Sequence, residues 1–72
     1  MRIEESAWLE ISENHYHEML EMLPPLHMTN SKFISSEPYR LNKNDENLYF
    51  VGREILGTFE ARLMTVNDYK MV

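Results

Sequence analysis

Trp8-Leu9-Glu10-Ile11-Ser12-Glu13-Asn14-His15-Tyr16-His17-Glu18-Met19-Leu20-Glu21-Met22-Leu23-Pro24-Pro25-Leu26 reads as one amphipathic helix with a start, a buried stripe and a stop. Ser12 is placed to act as N-cap, its hydroxyl accepting from a free backbone N–H one turn in. Ile11 and Tyr16 hold the two positions of a hydrophobic staple. Glu13 suits the positive end of the helix dipole. His15 stands where a full capping box would put Glu or Gln. Tyr16, Met19, Leu20 and Leu23 recur at i, i+3, i+4 and i+7, which predicts the core stripe. Glu13, Asn14, His17, Glu18 and Glu21 fall on the wet side. Pro24 disfavours helical geometry at Leu23, and Pro25 reinforces the stop. Pro24-Pro25-Leu26 then reads as a rigid connector toward the first strand. A ligand for a proline-reading domain would need a longer extended run.

Beyond Lys32 the period changes. Lys32-Phe33-Ile34-Ser35-Ser36 predicts a strand. Residues 37–45 hold Pro38, Asn42, Asn44 and Asp45 and read as a loop. Leu48-Tyr49-Phe50-Val51 predicts a second strand, continuing weakly to Glu54. Leu56-Gly57 reads as a turn. Thr58 to Met64 alternates, with Phe59, Ala61 and Leu63 on one side and Thr58, Glu60, Arg62 and Met64 on the other, as in a half-buried antiparallel strand. Leu48 and Phe50 are expected to share the apolar face. The expected architecture is α+β: one amphipathic helix packed on a three-stranded antiparallel sheet, in the order α-β-β-β. Residues 65–72 give a short C-terminal helical turn or a frayed tail, and residues 1–7 an edge strand or a mobile arm.

Seventy-two residues make one small domain, 1–72. A chain this short buries roughly 60% of its unfolded surface and is marginal alone. It has no Cys to staple it, so a homodimer that completes a thin core is one reading. No stretch has the roughly 20 apolar residues of a membrane span, and the N-terminus lacks the apolar run of a signal peptide. A cytoplasmic protein without a membrane partner is expected.

Net charge is −5, and it is unevenly placed. Residues 1–23 carry Glu4, Glu5, Glu10, Glu13, Glu18 and Glu21 against Arg2 alone. Residues 24–72 carry Glu37, Asp45, Glu46, Glu54, Glu60 and Asp68 against Lys32, Arg40, Lys43, Arg53, Arg62 and Lys70. All net charge therefore lies in the first third. Such a chain is repelled by phosphate backbones, so no direct nucleic-acid binding is expected. It suits a basic protein surface, or a solvated helix face that binds nothing.

Catalytic patterns are weak. His15 and His17 point about 200° apart on a helix and cannot share an ion. His17 and Glu21 can, but two ligands fall short of the three that a catalytic zinc takes. His17–Glu21 then reads as an ordinary surface pair, and neither a metal nor a cofactor is expected. Glu10, Glu37 and Glu60 lack the fixed pairing that a two-carboxylate mechanism requires. No nucleophile has an identifiable base, so no enzyme activity is expected. Trp8, the single tryptophan, either packs over the helix start or anchors an interface. Met22 falls beside the helix stripe and is the better surface methionine.

Trp8-x-Glu10-Ile11, then Tyr16, Met19-Leu20, Leu23-Pro24-Pro25-Leu26-x-Met28, Phe33 and Glu37 together resemble a family of small uncharacterised bacterial proteins, a domain of unknown function found mainly on plasmids and other mobile elements. The resemblance covers residues 8–37 and extends by character alone to Leu48–Phe50 and Thr58–Met64. The chain lacks the aromatic, His-rich final strand of that family; Phe59 is its only aromatic there. The resemblance implies a mobile-element origin and a helix-then-hairpin layout, and no activity.

Two functions follow as expectations. The first is a non-enzymatic protein-interaction module of plasmid or phage origin, with itself or another protein as partner, binding through Trp8, Glu13, Glu18, Glu21 and Met22. The second is an acidic inhibitor that blocks a host nucleic-acid-binding defence protein by mimicking phosphates.

Overall fold

The computed structural model describes residues 7–22, 24–41 and 47–72, with residues 40 and 41 described in backbone only. Its elements are β1 (Leu9–Ile11), α1 (Glu13–Met22), β2 (Pro25–Met28), β3 (Lys32–Leu41), β4 (Asn47–Ile55), β5 (Thr58–Met64) and α2 (Val66–Lys70). The strands form one antiparallel sheet in the order β1-β5-β4-β3-β2. This corrects the expected helix on a three-stranded sheet. The fold is mostly sheet, five strands with two short helices.

The missed strands lie at the edges. β2 begins at Pro25, and an edge strand tolerates Pro at its first residue because that N–H has no ladder partner to serve. The Pro24-Pro25-Leu26 connector is thus half strand. β3 runs on through Pro38 to Leu41 where a loop was expected, with register shifts on either side of Pro38. Those bulges accommodate the missing N–H. Residues 42–45 of the expected loop, Leu23 of the expected stripe and residues 1–6 of the N-terminal arm lie outside the described residues.

β2 to β5 form a meander of hairpins, and β1 pairs on the outer side of β5 with Leu9 opposite Ala61 and Ile11 opposite Phe59. α1 must therefore carry the chain from the β1 edge to the β2 edge. Ten helical residues span about 15 Å, close to the roughly 19 Å across five strands. Ser12 caps the helix as expected: its Oγ accepts from His15 N at 3.1 Å, and its carbonyl accepts from Tyr16 N at 3.0 Å.

The sheet is covered on both sides. On the α1 side Ile11, Tyr16, Met19, Phe33 and Ala61 are buried, with Leu20, Phe50 and Phe59 packed against them. The Tyr16 ring meets Phe33 edge-on at 5.1 Å and lies 4.9 Å from Phe59. Gly52 permits this stack, because a Cβ there would overlap Cε1 and Cζ of Phe33 and come within 3.0 Å of Tyr16 Cε2. On the other side Ile34, Val51, Met64 and Tyr69 are buried, joined by Trp8, Tyr49 and Val66. The face of β5 expected to be wet is therefore dry at Met64, because α2 covers it. α2 starts at Thr65, whose Oγ1 accepts from Asp68 N at 3.1 Å.

The β4–β5 hairpin turns through Leu56 (φ 50°) and Gly57 (φ 82°). Both φ values are positive, as a type I′ two-residue hairpin loop requires. Gly57 meets this freely. Leu56, a residue with a Cβ, holds the left-handed region at a cost of about 1 kcal/mol.

Candidate interaction surface

α1 turns one side outward. At 100° per residue Glu18 and Glu21 project opposite the Tyr16–Met19 stripe, and both are exposed. No Lys or Arg forms a salt bridge with either among the described residues. Glu13 lies 3.5 Å from His17 Nε2, so the surface pair expected between His17 and Glu21 is made with Glu13 instead. Both groups are well exposed, and such a pair contributes little. Met22 closes the helix with 77% of its surface exposed, and Leu26 and Met28 follow on β2 at 56% each. The structure thus gathers Glu13, Glu18, Glu21 and Met22 on one helix.

Trp8 is not among them. It lies on the α2 side of the sheet, half-buried, with the Arg53 guanidinium carbon 3.9 Å from its ring centroid. Arg53 Nε also donates to Glu60 Oε1 at 2.8 Å. The strand register aligns Lys32, Arg53, Glu60 and Glu10 in one row across β3, β4, β5 and β1. Two bases are followed by two acids, and the Arg53–Glu60 bond joins the halves. Beyond Lys32, α2 is tied down. Lys32 Nζ donates to the carbonyls of Tyr69 (3.0 Å) and Val72 (2.8 Å) and sits 4.4 Å from the Tyr69 ring centroid. The Tyr69 hydroxyl is 2.8 Å from His27 Nδ1. Burial raises the Tyr69 pKa above its ordinary 10.0. Burial, then the charges of Glu54 and Tyr69, raise that of Tyr16.

The other sequence candidates stay apart. Glu60 is engaged by Arg53, Glu10 sits opposite it on β1, and Glu37 is exposed on β3. No three His, Asp or Glu residues gather for a metal ion among the described residues. An open hollow of about 180 Å³ lies where β4 begins beside α2, lined by Asn47, Tyr49, Thr65, Val66 and Asn67. Asn47 Oδ1 is buried there without a hydrogen-bond partner. No helix among the described residues is long and apolar enough to cross a membrane.

Sequence reasoning missed the exposure of Leu26, Met28 and Leu56. Only Leu56 had a signal: a leucine stands before Gly57 where hairpin turns favour Asn or Asp.

Residues 2–52 match the model of a family described as "Protein of unknown function (DUF1419)". The chain belongs to that family. No curated protein and no solved structure is similar to it at a significant level.

Proposed function

We propose that this member of the DUF1419 family is a non-enzymatic protein-interaction module that engages a basic protein surface through the outer side of α1. The observation that carries the reading is the pair of exposed carboxylates, Glu18 and Glu21, unmatched by any described base and bordered by exposed Met22. Carboxylates left without internal partners attract a cationic surface. An adjacent flexible thioether supplies adaptable apolar contact. Trp8, covered by Arg53, contributes by holding β1 and the start of α1 rather than by direct contact.

The test is capture from the source cell with wild type and a Glu18→Lys/Glu21→Lys variant side by side. The reading requires a protein held by wild type and depleted about tenfold or more with the variant. Equal retention on both baits overturns it.

The uneven charge supports a second reading, in which a mobile-element protein presents this acidic side to a host nucleic-acid-binding protein as a phosphate mimic. Its partner would then lose nucleic-acid binding when the chain is added, and salt would weaken the complex steeply. A captured partner with no nucleic-acid affinity eliminates this version and leaves the first intact.

A further inference from the structure

We draw no further inference here: the strongest candidate, the open hollow where β4 begins beside α2, carries nothing, because its unpartnered Asn47 Oδ1 is itself shut off from solvent and nothing in the structure shows what would fill the space.

Discussion

Arg53 roofs the Trp8 ring at 3.9 Å while its Nε is bonded to Glu60. One side chain thereby ties β1, β4 and β5 together on the α2 side of the sheet. A guanidinium stacked on an indole and bonded to a carboxylate combines two stabilising contacts in a partly desolvated place.

Arg53→Ala should therefore destabilise the fold by about 1–2 kcal/mol, more than Glu60→Gln does. Urea unfolding followed by the emission of the single tryptophan measures this. The folded-state emission should also move to longer wavelength as water reaches the ring. An unchanged spectrum would show that the stack is absent in solution.

Gly52 lies beneath the Phe33 and Tyr16 rings. Gly52→Ala forces the Phe33 ring aside and should cost about 1–3 kcal/mol, the range of overpacked cores. Adding Phe33→Leu should recover part of that loss, because the two sites share one volume. Chemical denaturation of the single and double variants tests it; purely additive effects would contradict the packing described.

Tyr16 and Tyr69 have pKa values raised above the ordinary 10.0, chiefly by burial. The folded state thus favours the neutral phenols, and unfolding takes up hydroxide. The stability they confer is complete below pH about 10 and is lost as pH rises through the raised values. Urea midpoints between pH 8 and pH 11.5 should fall at the alkaline end, and Tyr16→Phe should flatten the fall. An alkaline limb equally steep in Tyr16→Phe would remove Tyr16 from this account.

Lys32 Nζ holds the Tyr69 carbonyl in the last turn of α2 and the main-chain oxygen of Val72 just beyond it. Five helical residues do not persist without tertiary anchors. Lys32→Met keeps the stem and removes the donor, so α2 should loosen at a cost of about 1 kcal/mol. Hydrogen exchange at residues 69–72 should quicken while β4 stays protected. Uniform quickening throughout would mean that Lys32 supports the whole sheet.

α1 was legible from its residues: Ser12, the Ile11–Tyr16 pair and the Tyr16–Met19–Leu20 spacing all act locally. So were the Leu56-Gly57 turn and the alternation of β5. β1 was not, because Leu9-Glu10-Ile11 is three residues long and is defined by partners 48 to 52 positions away. β2 was hidden behind Pro25, whose missing N–H matters only in an interior strand. The dry side of β5 was unreadable because α2 supplies its cover from beyond Met64. At the candidate surface, the exposure of Glu18, Glu21 and Met22 followed from helical phase. The separation of Trp8 from them depended on which side of the sheet β1 turns toward, which no local pattern encodes.

β5 arrives late in synthesis yet occupies an interior place, between β1 and β4. Until it emerges from the ribosome, the growing polypeptide presents two unpaired strand margins with a vacant slot between them. Any fragment or frameshift that removes β5 should then yield not a smaller domain but a sticky template for strand exchange between neighbouring chains.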